Sequence, residues 1–189
     1  MAAKVKFGLK NCYYAVATID NTGAATYGTP VRLPGAVSLS MEPAGEQTVF
    51  YADDIAYYTA GGNIGYTGEL ELAMIPDSFR EDCLGEDAST TGILVEKSDA
   101  SPKPFALLFE FSTDDKAIKH VMYNCVASRT NISGQTKGES TEVQTETVSL
   151  TASAIMNTVA GGNIVKAKAD DTATSAYAGW YSSVWQPTT

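Results

Sequence analysis

The residue that limits the chemistry open to this 189-residue chain is its single histidine, His120. Nucleophilic catalysis by a Ser-His or Cys-His pair needs an imidazole to take the proton. His120 lies in the strand-like run 118–122, on the same face as Ile118 and Met122. That position is more typical of a packed or interfacial imidazole than of a catalytic base, and the sequence has no G-x-S-x-G nucleophile turn. An esterase or protease is therefore not expected.

Carboxylates offer a second chemistry. Glu69, Glu71, Glu110 and Glu146 fall on predicted strands, and two of them could form a glycosidase pair if they met in one cleft. Nothing in the sequence indicates that they meet, so a carboxylate-based hydrolase ranks only third among the possible functions.

Metal and phosphate sites are equally poorly supported. Adjacent aspartates occur at 53–54, 114–115 and 170–171, each beside turn residues, which is typical of solvated turns, although calcium at one of them stays open. The glycine pairs at 61–62 and 161–162 lack the context of a phosphate-binding loop. We predict no catalytic site, no cofactor and no metal centre.

Charge and cysteine usage narrow the class of protein further. The formal net charge is -9, with few and scattered basic residues, which argues against a protein that binds nucleic acid through phosphate contacts. Cys12, Cys83 and Cys125 are widely spaced, and we expect reduced, buried thiols.

The N-terminus lacks the apolar run of a signal peptide, and no stretch approaches the ~20 apolar residues of a membrane span. We expect a soluble protein made in the cytoplasm.

The pattern of apolar residues predicts a mainly β fold. Alternation and turn signals indicate strands in these segments: 5–9, 13–19, 25–27, 37–41, 66–75, 105–111, 118–127 and 139–152. In 66–75, Leu70, Leu72 and Met74 are predicted to point inward. A short helix is expected after Pro76, ending at Gly85, with Phe79, Cys83 and Leu84 buried. A C-terminal helix is expected over 173–185, with Tyr177, Trp180, Tyr181 and Val184 on one face.

Three features of the chain bear on its organisation. We predict one domain over 1–189 with long excursions at 43–65 and 86–104. The first excursion holds Phe50, Tyr51, Tyr57 and Tyr58 around Asp53 and Asp54, and we interpret it as a hairpin or arm that leaves the sheet. The run 105–111 is nearly apolar on both faces, which favours burial by the fold on one side and by something else on the other.

Several stretches resemble the major tail protein family of long, non-contractile-tailed (siphovirus-type) bacteriophages. They are VKFGLKN at 5–11, GTPV at 28–31, PGAV at 34–37, FYAD at 50–53, YTGELE at 66–71, IPDSFR at 75–80, PKPFALLFE at 102–110, YNC at 123–125, QTET at 144–147 and WY at 180–181. The resemblance covers nearly the whole chain in the same order, and the segment 154–164 matches least well.

The resemblance implies a structural virion protein and not an enzyme. It implies a tail-tube β-sandwich or partial barrel with one short flanking helix, in hexameric rings that stack into a hollow tube through which DNA passes without specific binding. Other implied partners are the tape measure, tail terminator and baseplate or initiator proteins, and the protein would reside in the virion tail after assembly in the host cytoplasm.

The resemblance also assigns roles to particular residues. The inter-ring candidates are Phe50, Tyr51, Asp53, Asp54, Tyr57 and Tyr58. By strand alternation, the candidates for the channel wall are Glu69, Glu71, Glu142 and Glu146. The candidates for a sheet shared between subunits are Phe105, Leu107, Phe109 and Phe111.

One further function stays open at this stage. A monomeric β-sandwich or barrel could bind a small ligand or carbohydrate, with its tyrosines and tryptophans as a stacking platform. It would have an aromatic-lined pocket and would remain a monomer at high concentration, whereas the tube-forming protein would assemble.

Overall fold

The computed structural model describes residues 5–45, 47–62, 64–89, 91–136 and 143–188, and it is mainly β. The strands are β1 Lys6–Ile19, β2 Ala25–Tyr27, β3 Val31–Arg32, β4 Ala36–Ala44, β5 Gln47–Ala52, β6 Ile55–Gly61, β7 Gly65–Leu72, β8 Asp87–Ala88, β9 Leu94–Val95, β10 Phe105–Thr113, β11 Ile118–Ala127, β12 Glu146–Ser153, β13 Ile155–Asn157, β14 Gly162–Ile164 and β15 Lys166–Ala169. Helix α1, Asp77–Phe79, continues as a π-helical turn over Arg80–Leu84, and α2 spans Thr174–Ala178. The predicted mainly β class, with a short flanking helix and a C-terminal helical segment, is confirmed.

Within the described residues, nine strands form one antiparallel sheet in the order β2-β1-β10-β11-β12-β7-β4, with β3 also paired to β1 and β15 to β11. The pairs β5-β6, β8-β9 and β13-β14 form separate two-stranded ladders. The sheet is open, yet it curls so far that β1 and β4 contact each other. The curled sheet thus has an enclosed inner face and an outer face.

The inner face holds the larger hydrophobic core, to which β1, β7, β10, β11 and β12 contribute. Pro76 precedes α1 and Gly85, at φ 79°, ends the π-helical turn, as the sequence predicts. This helical segment inserts Phe79 into the core, where its ring meets the rings of Tyr14 and Phe105 edge-on at centroid distances of 5.2 and 5.3 Å. The predicted burial of Phe79, Cys83 and Leu84 is confirmed.

A second core lies on the outer face, where the C-terminal segment covers β10 and β11. Trp180 is only 2% exposed, and its indole Nε1 donates to the carbonyl oxygen of His120 at 3.3 Å. The hydroxyl of Tyr181 donates to Oε2 of the buried Glu110 at 2.9 Å, and Lys119 Nζ donates to the carbonyl oxygen of Tyr177 at 2.9 Å. These bonds satisfy polar groups that would otherwise be costly to bury.

The structure corrects the extent of three predicted elements. The C-terminal helix ends at Ala178, before Gly179, and the aromatic residues beyond it pack from turns. Strand β7 ends at Leu72, so that Met74 is 73% exposed and not inward. Within the described residues, the strand predicted over 139–152 begins at Glu146, because 143–145 have no strand structure; residues 139–142 lie outside the described part of the chain.

Strand register defines two ends of the curled sheet. At what we call the open end, the start of β1 pairs with the end of β10 (Lys6 opposite Thr113), and the end of β4 pairs with the start of β7. At what we call the helical end, Val16 pairs with Phe105, and β7 finishes at Leu72, immediately before α1. The fold therefore has a clear polarity along its strands.

Replacement of Trp180 by alanine tests the importance of the outer core. We expect Trp180→Ala to lower the free energy of unfolding by about 3 to 5 kcal/mol, because a large buried side chain is lost and a cavity remains. The matched control is Trp185→Ala, since Trp185 stacks on Trp180 but is 37% exposed, and its loss should cost about 1 kcal/mol or less. Urea unfolding followed by far-UV circular dichroism measures both; equal losses would contradict this account of the outer core.

Candidate assembly surfaces

The most exposed aromatic residues of the chain lie on a hairpin made by β5 and β6, which we call the aromatic hairpin (residues 47–61). Phe50, Tyr51, Tyr57 and Tyr58 have exposed fractions between 59% and 70%. The hairpin pairs with itself, with Phe50 opposite Tyr58, and lies outside the nine-stranded sheet. An isolated two-stranded hairpin is marginally stable in water, and exposed apolar patches of this kind mark interaction surfaces.

The tip of the aromatic hairpin is acidic. Asp53 and Asp54 adopt φ values of 52° and 59° between the paired residues Ala52 and Ile55, as in a two-residue type I′ turn. Both carboxylates are exposed. The structure thus brings all six predicted inter-ring residues together on one projecting element, and their contact with another ring stays a prediction.

A second surface is the outer side of β4, β7 and β12, which we call the polar strand face. Glu69 lies opposite Ser40 and Ser149, and Glu71 lies opposite Ser38 and Thr147. The remaining members are Glu42, Thr67 and Thr151, paired in the same way. All these side chains are exposed except the half-buried Glu71, so that the face presents only hydroxyl groups and carboxylates.

Hydrogen bonds hold one of these carboxylates in its charged form. Glu71 accepts from Thr145 Oγ1 at 2.6 Å and from Ser38 Oγ at 2.8 Å. Both hydrogen bonds lower the pKa of Glu71, and the bond from Thr145 contributes the larger part. Glu71 is ionised at neutral pH. The sequence prediction missed Glu42, although the alternation of Ser38, Ser40 and Glu42 in β4 contained the signal.

Two of the four predicted channel-wall residues, Glu69 and Glu71, lie on the polar strand face. Glu142 lies outside the described residues. Glu146 lies on the opposite face from Glu69 and Glu71, because it shares the strand parity of the buried Val148. Its Oε2 accepts from the backbone amide of Ile75 at 2.7 Å, and it forms an ion pair with Arg80 at 3.4 Å. Glu146 therefore lies apart from the polar strand face and joins β12 to the start of the helical segment, and its place in the channel wall stays a prediction.

Strand β10, which the resemblance assigns to a sheet shared between subunits, is covered on both faces by this chain itself. Phe105, Leu107 and Phe109 are buried in the inner core, and Phe111 packs against it. Ala106 and Leu108 are buried by the outer core. Both backbone edges of β10 are paired, with β1 and β11, so this strand offers no free edge to a neighbouring subunit.

His120 is a packed imidazole, as predicted. Its ring stacks on Phe109 at a centroid distance of 5.2 Å. Burial, followed by the charges of Lys166, Lys168 and Lys6, lowers the pKa of His120 to about 4. The imidazole is therefore neutral at pH 7.

The other candidate chemical groups fall at separate places. Cys12, Cys83 and Cys125 are free and buried, as expected, and burial raises the pKa of each thiol. Glu69 and Glu146, the strand carboxylates considered for hydrolysis, lie on opposite faces of the sheet. In the part of the chain that the structure describes, no three His, Cys, Asp or Glu side chains group as metal ligands.

The aromatic residues considered as a ligand-stacking platform divide among three places. Tyr51, Tyr57 and Tyr58 are on the aromatic hairpin, Tyr66 is at the open end, and the C-terminal aromatics are in or around the outer core. They do not form one pocket, although Tyr66 lines a cavity at the open end together with Phe109 and Phe111, and the ligand-binding alternative stays a prediction.

Substitution of Glu146 tests the structural role assigned to it. We expect Glu146→Gln to lower the free energy of unfolding by about 1 to 3 kcal/mol, because the partly buried Arg80 loses one of its two ionic partners, Glu86 being the other, and the bond to the Ile75 amide weakens. Glu69→Gln is the matched control on an exposed strand position, where the change should be within about 0.5 kcal/mol. Chemical denaturation of both variants provides the comparison, and equal stability would return Glu146 to the set of surface carboxylates.

Comparison with known proteins identifies the family of the chain. No helix among the described residues is both long and apolar enough to cross a membrane. No curated protein matches the chain. A family model described as phage tail tube protein matches residues 2–116, which is more than half of the 189 residues. The chain belongs to the phage tail tube protein family and is thus a structural component of a phage tail.

Proposed function

We propose that copies of this chain form hexameric rings, that the rings stack into the tail tube, and that DNA passes through the channel on its way into the host. The carrying observation is the aromatic hairpin, whose side chains are exposed in the isolated chain. Ring formation and stacking give this element a surface to pack against. In this role the chain is not an enzyme.

The aromatic hairpin is well placed for contact between rings. Strands β4 and β7 lead directly into it, and the Ile64 amide donates to the Ala44 carbonyl oxygen at its base at 3.0 Å. At about 3.3 Å per residue, a strand of the length of β5 extends roughly 20 Å. The hairpin therefore projects beyond the open end of the subunit, and Phe50, Tyr51, Tyr57 and Tyr58 supply its contact area.

The polar strand face is the surface that we assign to the channel wall. Its exposed carboxylates repel the phosphate backbone, and its hydroxyl groups carry no charge that would hold DNA in place. Glu42, Glu69 and Glu71 replace the channel-wall set expected from the sequence. A wall of this kind lets the duplex slide without specific binding.

The remaining parts of the proposal concern the setting of the tube. It would be assembled in the host cytoplasm around a tape measure protein, begin at a baseplate or initiator complex, and end at a tail terminator. These partners follow from the role of a tail tube, which must have a defined length and two different ends.

The stacking role of the aromatic hairpin can be tested with a double variant. Tyr51→Ala with Tyr58→Ala should lower the yield of stacked tubes at least tenfold, because aromatic anchors carry much of the energy of an interface. The unfolding midpoint of the unassembled chain should stay within about 2 °C, since the two side chains are exposed in the subunit. Negative-stain electron microscopy and light scattering across a concentration series measure assembly.

The matched control for this variant removes exposed apolar groups elsewhere. Ile19→Ala with Val159→Ala changes side chains that are 37% and 49% exposed and lie outside the aromatic hairpin. This control should assemble as the unmodified chain does. Equal tube yields from the control and the tyrosine variant would overturn the stacking role of the hairpin. If the unmodified chain forms no rings or tubes at any concentration, with or without an initiator complex, the proposed function is overturned.

The channel-wall assignment predicts a gain of DNA retention. With Glu42 and Glu69 both replaced by lysine, tubes assembled with short duplex DNA should retain DNA that is protected from nuclease. The amount of retained DNA should fall as the salt concentration is raised, because salt weakens contacts between lysine and phosphate. The matched control replaces the same two residues by glutamine, which removes charge without adding a cation, and should retain little DNA. DNA that binds the lysine variant but stays fully nuclease-sensitive would place these residues on the outside of the tube.

A further inference from the structure

The open end of the curled sheet forms a cationic mouth that the proposed function does not yet use. A cavity of about 380 Å³ there is lined by Tyr66, Phe109, Phe111, His120 and Met122, together with other side chains that include Lys6 and Lys166. Lys168 lies on the same face of β15 as Lys166, directly opposite His120. Three exposed ammonium groups thus surround one aromatic opening in a chain whose net charge is -9.

Two lysines of this mouth lie over aromatic rings. Lys6 Nζ lies 4.5 Å from the centroid of Phe111, and Lys166 Nζ lies 4.5 Å from that of Tyr66. Among the described residues, none of Lys6, Lys166 and Lys168 forms an ion pair.

Three carboxylates near these lysines have partners of their own, although the charge of Lys168 also helps to lower the pKa of Asp170. Asp114 accepts from the backbone amide of Val5 at 3.4 Å, Asp171 pairs with Lys116 at 3.1 Å, and Asp170 accepts hydrogen bonds from Thr172. Burial lowers the pKa of His120 most, and the positive charges of the three lysines lower it further. The lysines therefore act electrostatically on a side chain that lines the mouth. The open end therefore offers lysine ammonium groups that can bind carboxylates.

The opposite end of the subunit carries free carboxylates. The segment 77–84 closes the helical end by burying Phe79 and Cys83. At helical spacing, Asp77 and Glu81 lie about half a turn away from these two residues, on the outward side. Asp77 is exposed and Glu81 half-buried, and neither forms an ion pair within the described part of the chain.

We propose that the cationic mouth of one copy, formed by Lys6, Lys166 and Lys168, receives the carboxylates of Asp77 and Glu81 from the helical end of a second copy. The inference rests on the proposed function and adds the surfaces and the polarity of stacking. Because the two surfaces differ and lie at opposite ends, the contact is head-to-tail and repeats without closing. The aromatic hairpin leaves the same open end, so both elements face the helical end of the next copy.

Charge reversal on each surface provides the test. One variant carries Lys166→Glu and Lys168→Glu, and the other carries Asp77→Lys and Glu81→Lys. Each alone sets like charges against each other and should raise the concentration needed for tube stacking roughly tenfold or more. A 1:1 mixture of the two should stack again, because each altered end then meets an altered partner of opposite charge. The chain with all four substitutions should also stack with itself.

The matched control carries Lys10→Glu with Arg32→Glu, which makes the same change in net charge at two exposed residues between the ends. It should stack at the concentration of the unmodified chain, and near-UV circular dichroism should show every variant folded. The docking inference is overturned, and the proposed function stands, in two cases. In the first, the unmodified chain forms tubes and the two charge-reversed variants stack equally well. In the second, the two variants are folded but their 1:1 mixture does not stack. If the unmodified chain never stacks, both are overturned.

Discussion

Burial of strand β10 on both faces is the constraint on which the rest of the subunit depends. Alternate residues point to different cores: Phe105, Leu107 and Phe109 into the inner core, and Ala106 and Leu108 into the outer one. An apolar strand in a single antiparallel sheet can be stable only if both faces are covered. The curled sheet with its inserted helical segment covers one face, and the C-terminal segment, anchored by Trp180, covers the other.

Because the chain covers its own central strand, its contacts with other copies must use elements that the two cores leave exposed. These are the aromatic hairpin, the polar strand face, the cationic mouth and the outward side of the helical segment. Each is a side-chain surface on a rigid frame, and none requires a core strand to be exchanged. In the proposed assembly, the subunit can fold before it binds, so that association does not also incur the cost of ordering the core.

Local patterns in the sequence predict much of this frame but not the surroundings of each side chain. Pro76 and Gly85 delimit the helical segment correctly, because a fixed φ and a left-handed residue act locally. The spacing of Tyr177, Trp180 and Tyr181 predicts a long helix, yet only Tyr177 lies in the helix, and Trp180 and Tyr181 pack from the turns after it. Burial in the outer core stabilises the same apolar residues in either conformation. Glu146 shows the limit of alternation: it lies on the inward side of β12, at a strand end where Arg80 and the Ile75 amide offer partners that only the folded chain brings together.

The pair β4 and β7 links the two surfaces assigned to the tube. Its outer side carries Glu42, Glu69 and Glu71, and the same two strands end at Ala44 and Gly65, at the base of the aromatic hairpin. The Ile64 amide, which donates to the Ala44 carbonyl oxygen, ties the two strands together at this base. In the proposed tube, a contact that fixes the hairpin against the next copy therefore acts close to the strands that bear these carboxylates, and stacking also helps to align the channel wall.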